Sequence, residues 1–139
     1  MAELARAFLI RSFALVGYSM GGNLVLKLAG ERGGAAPHYL KAVVGVSPLM
    51  DLAASSAALY EPQNRLYESR FLSEELKRFR RKIELYPGLY TANGLGKIRT
   101  VREFDEQVVA RYGGFASADD YYYSVASSNW AQRALPCPR

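Results

Sequence analysis

A serine between two glycines lies near the start of the chain, directly after a short apolar run. Residues 17–21 are Gly-Tyr-Ser-Met-Gly, which match the G-x-S-x-G pattern, and they lie between an apolar run at 13–18 and helix-forming residues at 23–32. A serine at such a strand-to-helix turn projects its hydroxyl clear of a sheet, and the glycines let the neighbouring chain pass closely. We therefore predict that Ser19 is a catalytic nucleophile, with the backbone N–H of Met20 as one oxyanion donor.

The partners that such a serine needs are scarce in this sequence. A second apolar run at residues 41–47 predicts the next strand, and His38, the only histidine, precedes it. His38 is expected in a loop at the sheet edge opposite Ser19, so no triad histidine is found. Asp51 follows the second strand at the same edge as Ser19. It is either a weak candidate for the catalytic acid or, as we favour, the cap of a helix beginning near Leu52.

The elements around the motif predict an α/β protein. The succession of strand, helix and strand predicts a parallel βαβ unit with a right-handed crossover. Helical patterns follow: Leu72, Leu76, Phe79, Ile83 and Tyr86 recur at three- and four-residue spacing in a helix whose first turn is expected after Ser73. A capping box at residues 100–103 and a polar cap at 117–120 predict two more helices. The predicted organisation is a core βαβ fragment at residues 1–50, helical cap segments at 51–130 and a tail at 131–139.

Composition and charge exclude several classes of function. The formal net charge is +5 and the pI is near 9.4, but the densest basic run, at residues 77–82, is flanked by acidic residues, which favours a solvated helix face. We predict no nucleic-acid partner. Cys137 is the only cysteine, which excludes an intrachain disulfide and a cysteine metal cluster. Neither a P-loop nor a dinucleotide fingerprint follows the first strand, so no cofactor is predicted. No secretory signal and no uncharged apolar stretch of membrane-spanning length is found, and a cytoplasmic location is expected.

The serine turn and several later segments together resemble a known family. These segments are Gly-Tyr-Ser-Met-Gly-Gly-Asn at 17–23, Asn-Arg-Leu-Tyr at 64–67, Arg-Phe-Leu at 70–72, Arg-Thr-Val-Arg-Glu-Phe-Asp at 99–105 and Gly-Phe-Ala-Ser-Ala-Asp-Asp-Tyr-Tyr at 114–122. In this order they are similar to the YheT-like branch of the α/β-hydrolases, which also contains plant embryogenesis-associated and animal ABHD1/ABHD3-like proteins. The resemblance extends to about Trp130. It implies a partial α/β-hydrolase fold, truncated at both ends, whose late triad residues lie beyond the chain.

The resemblance also implies a function. It indicates a serine hydrolase of carboxylic esters, esterase- or lipase-like, acting on small-molecule or lipid esters, with helices from about residue 60 to 130 as a cap over the site. Because triad residues are missing, the isolated chain is expected to be inactive. Two alternatives remain: acyl transfer to an alcohol on the same fold, and a non-catalytic remnant or binding protein. Peripheral membrane contact and self-association through exposed core surfaces are further expectations.

Overall fold

The computed structural model describes residues 11–130, which form two compact units. Within that range, the first unit comprises residues 11–52 and 123–130, and the second is Ala53–Tyr122. The elements in chain order are β1 (Phe13–Tyr18), α1 (Met20–Arg32), β2 (Leu40–Val46), α2 (Leu52–Leu59), α3 (Arg65–Leu85), α4 (Val101–Phe104), a π-helical turn (Asp105–Ala110), α5 (Arg111–Gly113) and α6 (Ala118–Val125). The predicted α/β class is confirmed. The cap assignment stays a prediction, and the predicted tail with Cys137 lies outside the described residues.

The two strands of the first unit form the predicted parallel pair. Their register runs from Ala14 opposite Ala42 to Tyr18 opposite Val46, with one irregularity next to Phe13. Parallel strands need a crossover connection, and α1 provides it and packs against both strands. The carboxyl ends of the two strands therefore meet at one edge, where Ser19 follows β1.

One face of this sheet is open to solvent in the described part of the chain. Phe13, Leu15 and Gly17 are partly or fully buried, whereas Val16 and Tyr18 are exposed by 56 and 70%. Apolar runs of this kind are typical of strands buried on both faces, but in residues 11–130 one face of β1 is exposed. The reason is that α1 covers only one face of the two-stranded sheet.

The second unit has a hydrophobic core between α3 and the segment that follows it. The buried core side chains are Leu72, Phe79, Leu95, Ile98, Val101, Phe104 and Val108. Helix α3 begins at Arg65 rather than after Ser73, so the expected first turn at Ser73 is wrong. Ser73 lies within the helix, because no Gly or Pro interrupts residues 65–72 and tertiary packing outweighs the weak helix preference of serine. The residues of α3 pointing away from this core are solvent-exposed.

The predicted caps are present. The hydroxyl of Thr100 accepts a hydrogen bond from the N–H of Glu103 at 3.1 Å, and the Glu103 carboxylate accepts one from the N–H of Arg99 at 2.6 Å. The hydroxyl of Ser117 likewise accepts from the N–H of Asp120 at 3.1 Å. Each cap satisfies an amide that has no partner inside its own helix, and this stabilises the helix start.

A hydrogen-bonded chain of polar groups is enclosed in the second unit. The buried Tyr122 donates from its hydroxyl to the carboxylate of Asp105 at 2.7 Å, and the hydroxyl of Ser56 lies 3.0 Å from the same oxygen of Tyr122. Burial raises the pKa of Asp105 to about 6, and the nearby charge of Glu75 adds to the rise, while the Tyr122 hydrogen bond and Arg102 oppose it. Asp105 therefore binds a proton more readily in the folded than in the unfolded chain.

We expect this carboxylate to make the stability of the chain pH-dependent. Because the folded pKa of about 6 exceeds the ordinary 3.8, the stabilising contribution is complete below pH 3.8 and is lost as the pH rises through 6. The free energy of unfolding of the native chain, measured relative to Asp105→Asn, should fall by about 1 kcal/mol between pH 5 and 7.5. Urea unfolding of both proteins across that range measures this difference, and identical pH slopes would contradict the prediction.

Candidate active site

Ser19 occupies the turn between β1 and α1 with backbone angles that serine rarely adopts. Its φ is 51° and its ψ is −123°. Such a conformation costs a residue with a side chain on the order of 1–3 kcal/mol. The N–H of Ser19 donates to the carbonyl oxygen of Val46 at 3.0 Å, and its own carbonyl accepts from the N–H of Asn23 at 3.1 Å. The strained turn is thus held by β2 on one side and by α1 on the other.

The hydroxyl of Ser19 is left available for chemistry. Ser19 is exposed, and although it occupies the N-cap position of α1, its side chain makes no capping hydrogen bond. Met20 is the first residue of α1, and amides at this position have no acceptor within the helix. The first turn contains no acidic side chain. The positive end of the helix dipole therefore faces a region where a negatively charged oxygen beside Ser19 would be stabilised.

The glycines of the motif have different roles. A Cβ atom on Gly17 would lie 2.5 Å from the carbonyl carbon of Gly21 and 2.7 Å from the nitrogen of Gly22, because β1 passes directly against the first turn of α1. A Cβ on Gly22 would lie 3.0 Å from the Gly17 oxygen and 3.0 Å from the Cβ of Pro48. A Cβ on Gly21 would have no heavy atom within 4 Å among the described residues outside the local helix backbone. The close approach expected of both flanking glycines therefore holds here for Gly17 only.

A second strained serine, Ser47, stands at the same sheet edge and was not identified from the sequence as a site residue. Ser47 has a φ of 45° and follows β2 directly, as Ser19 follows β1. Tyr18 and Val46 are paired in register, so the two serines follow paired residues. The sequence pattern places this position only at the end of the second apolar run, at residues 41–47. A serine after the carboxyl end of a parallel strand could have indicated it, because ligands of open α/β sheets bind at that edge.

His38 is far from the nucleophile, as predicted. It precedes β2, and its ring packs edge-on against Tyr39 with 5.3 Å between centroids. The N–H of Phe13, at the start of β1, donates to the carbonyl of Tyr39 at 2.8 Å. The length of β1 therefore separates His38 from Ser19, a distance of about 20 Å. His38 cannot serve as the base for Ser19 within one chain.

Asp51 lies beyond the carboxyl end of β2 and immediately before the first residue of α2, Leu52. This is the helix-cap position that the favoured interpretation requires. Its role as a weak candidate acid stays a prediction. Across residues 11–130, no group of three or more His, Cys, Asp or Glu side chains is arranged to hold a metal ion. Over the same range, no helix combines the length and the apolar character needed to cross a membrane.

Asn23 supports the turn from within the first unit. Its side chain is fully buried; its amide donates to the carbonyl of Val125 at 2.9 Å, and its oxygen accepts from the N–H of Ser127 at 2.7 Å. The backbone N–H of Asn23 is also the group that binds the carbonyl of Ser19. Sequence reasoning noted Asn23 only as part of the motif. Its partners lie more than 100 positions away, so no local pattern could have revealed this role.

A strained serine at a strand-to-helix turn of a parallel βαβ unit is typical of the α/β-hydrolase class of proteins. The family model for the alpha/beta hydrolase fold matches residues 1–135. The chain therefore belongs to the α/β-hydrolase fold family, which confirms the family resemblance noted in the sequence.

Individual relatives agree with this assignment. The chain is 36% identical over 121 residues to YheT of Escherichia coli K12, which is named as an esterase; the match covers 86% of this chain and 35% of that protein. It is 30% identical over 127 residues to phospholipase ABHD3 of Bos taurus, covering 91% of this chain and 30% of that protein. It is 27% identical over 132 residues to the monoacylglycerol lipase of Saccharomyces cerevisiae, and that match covers 90% of this chain and 29% of that protein. The chain thus spans about a third of the length of these relatives. No solved structure gives a significant match.

Proposed function

We propose that this chain supplies the nucleophile of a serine hydrolase of carboxylic esters. The observation that carries the proposal is the geometry of Ser19, an exposed hydroxyl held in a strained turn at the positive end of α1. In the proposed reaction, Oγ of Ser19 attacks the ester carbonyl carbon while a base takes its proton. The N–H of Met20 donates to the resulting oxyanion, the alcohol leaves with the proton, and water then hydrolyses the acyl–Ser19 ester.

The substrate class is inferred from the names of the relatives. They are named as an esterase, a phospholipase and a monoacylglycerol lipase, and both phospholipids and monoacylglycerols contain carboxylic esters. We therefore propose small-molecule or lipid carboxylic esters as substrates. A cytoplasmic location stays a prediction from the sequence alone.

The proposed reaction needs a base from outside this chain. His38 is the only histidine, and it lies about 20 Å from Ser19 along β1. A histidine must therefore be supplied by another polypeptide segment, and the isolated chain is expected to lack activity. Self-association is one route to such a partner. The exposure of Val16, Tyr18 and Val44 on the open sheet face supports it.

We expect Ser19→Ala to abolish ester hydrolysis in a chimeric hydrolase whose remaining segments come from a relative. The matching segment of Escherichia coli YheT is replaced by the corresponding residues of this chain, and hydrolysis of a p-nitrophenyl ester is measured. Ser19→Ala should lower kcat by about 10⁴-fold or more, because the nucleophile is lost while substrate binding is retained.

The matched control is Ser47→Ala, which removes a second strained serine at the same sheet edge. Its kcat should stay within about tenfold of the parent chimera, because Ser47 does not begin a helix and has no oxyanion donor after it. A folded chimera that loses equal activity in both variants, or in neither, would contradict the assignment of Ser19.

The unmodified chain should not react with a fluorophosphonate probe. Labelling that depends on Ser19 would show that a base is already present.

A further inference from the structure

Helix α3 exposes a face that combines large apolar side chains with positive charge. Leu66, Tyr67, Phe71 and Leu85 are exposed by 88, 64, 40 and 55%. At 3.6 residues per turn, positions 67, 71, 78 and 85 fall on one stripe of the helix. The rings of Tyr67 and Phe71 stack on the surface with 6.3 Å between centroids. Leu66, Tyr67 and Phe71 lie within two turns of one another, and a contiguous exposed apolar group of this kind marks an interaction surface.

Basic side chains lie between the apolar ones. Residues 66, 70, 77 and 81 form a second stripe beside the first, so that Arg70, Lys77, Arg78 and Arg81 share the outer face with the apolar residues. All four are exposed. The acidic residues on this face are at positions 74 and 84, so it carries four basic and two acidic groups.

The charges of this face remain available to an external partner. Arg78 pairs with Glu75 at 2.7 Å and Arg81 with Glu84 at 2.9 Å, and both arginine side chains keep about 70% exposure. Exposed pairs of this kind are weak and are screened by salt. The core of the second unit uses the opposite side of α3, through Leu72 and Phe79. The outer face is therefore not needed to fold the unit.

We propose that this outer face of α3, defined by Leu66, Tyr67, Arg70, Phe71, Lys77, Arg78, Arg81 and Leu85, docks on an anionic membrane surface. The helix would lie in the plane of the interface. Its arginines and its lysine contact lipid phosphates, while the leucines and aromatic rings enter the boundary between headgroups and acyl chains. The proposal goes beyond ester hydrolysis and does not depend on the role of Ser19.

The mixture of apolar and basic side chains favours a lipid surface over a nucleic acid, which is the other partner that a basic face suggests. A nucleic acid would engage the arginines and could stack on Tyr67 or Phe71, but it would leave Leu66 and Leu85 in water. A lipid interface takes both the charge and the aliphatic side chains. The face runs from Leu66 to Leu85, about 29 Å along the helix axis, so many lipids can be contacted at once.

Sedimentation with sucrose-loaded vesicles tests the proposal on the 139-residue chain. One vesicle set is phosphatidylcholine alone, and the other is an equimolar mixture with phosphatidylglycerol. We expect binding to the mixed vesicles to be stronger by about tenfold or more and to fall as salt is raised. The neutralising variant Arg70→Gln/Lys77→Gln/Arg81→Gln should bind the mixed vesicles no more strongly than the phosphatidylcholine vesicles. The variant Leu66→Ser/Phe71→Ser should weaken binding by about tenfold or more, because it removes the inserted side chains.

The matched control neutralises three exposed basic residues elsewhere, in the variant Arg32→Gln/Lys41→Gln/Lys97→Gln. It makes the same change in net charge and should keep binding within about threefold of the native chain. Circular dichroism verifies that each variant is folded, and all changed positions are on the surface. Equal binding to both vesicle sets, an equal loss in the control, full binding by Leu66→Ser/Phe71→Ser, or tighter binding to a DNA duplex than to the mixed vesicles would each overturn the proposal.

Discussion

Replacing Gly17 with alanine is expected to lower the free energy of unfolding by at least about 3 kcal/mol. The new Cβ would lie 2.5 Å from the carbonyl carbon of Gly21 and 2.7 Å from the nitrogen of Gly22. Both are backbone atoms of the first turn of α1, so no side-chain rotation can relieve the contact. Either β1 or α1 must move, and the hydrogen bond from Ser19 to Val46 that fixes the serine turn would be strained with it. Urea unfolding followed by circular dichroism measures the loss.

The other glycine of the same motif is the matched control. Gly21 lies in the first turn of α1, and an added Cβ would have no heavy atom of residues 11–130 within 4 Å outside the local helix backbone. Gly21→Ala should therefore leave stability unchanged or raise it by up to about 1 kcal/mol, because alanine favours the helix. Equal destabilisation by the two substitutions would contradict the view that, of Gly17 and Gly21, only Gly17 is required for close approach of the backbone.

Asn23→Ala is expected to destabilise the first unit by about 4 kcal/mol. The substitution removes the donor to the Val125 carbonyl and the acceptor for the Ser127 N–H, both inside a buried site. Two polar backbone groups would then lack partners, and each such loss costs about 1 to 3 kcal/mol. Asn23→Asp tests the donor alone, because an ionised carboxylate of the same shape can still accept from Ser127 but cannot donate to Val125. Asn23→Asp should therefore also lower the free energy of unfolding of the first unit. Thermal and urea unfolding measure both effects.

Ser127→Ala is the control for this site. Ser127 is 1% exposed, and its hydroxyl makes no hydrogen bond to any group of the described residues. Removing that hydroxyl should therefore be neutral or stabilise the chain by up to about 1 kcal/mol, although Ser127 and Asn23 share one hydrogen bond. If Asn23→Ala proves as mild as Ser127→Ala, the side chain of Asn23 does not connect α1 to residues 125–127 in the way described.

Features that depend on near neighbours could be predicted from the sequence. β1, the predicted parallel pairing and the turn at Ser19 follow from two apolar runs separated by glycines and a helix-forming segment. The caps at Thr100 and Ser117 follow from side chains that reach amides only three positions away. The loop position of His38 follows from the direction of a parallel sheet. For the caps the interacting groups are close in sequence, and for the strands the short strand-helix-strand connection requires a parallel pair.

Features that depend on distant neighbours could not be predicted. The start of α3 at Arg65 places Leu66, Tyr67 and Phe71 on an exposed helix face, and propensity near Ser73 did not indicate it. Burial raises the pKa of Asp105, a carboxylate that looks ordinary in the sequence, although the hydrogen bond from Tyr122 opposes that rise.

The sequence by itself thus determined the α/β class and the place of Ser19 at a strand-to-helix turn, because periodicity and local turn chemistry specify these. The tertiary structure decided that Ser47 lies beside Ser19, that Asn23 holds residues 125–127, and that one sheet face is open. These features arise from contacts between segments far apart in the chain, and such contacts depend on how the elements pack rather than on any local pattern.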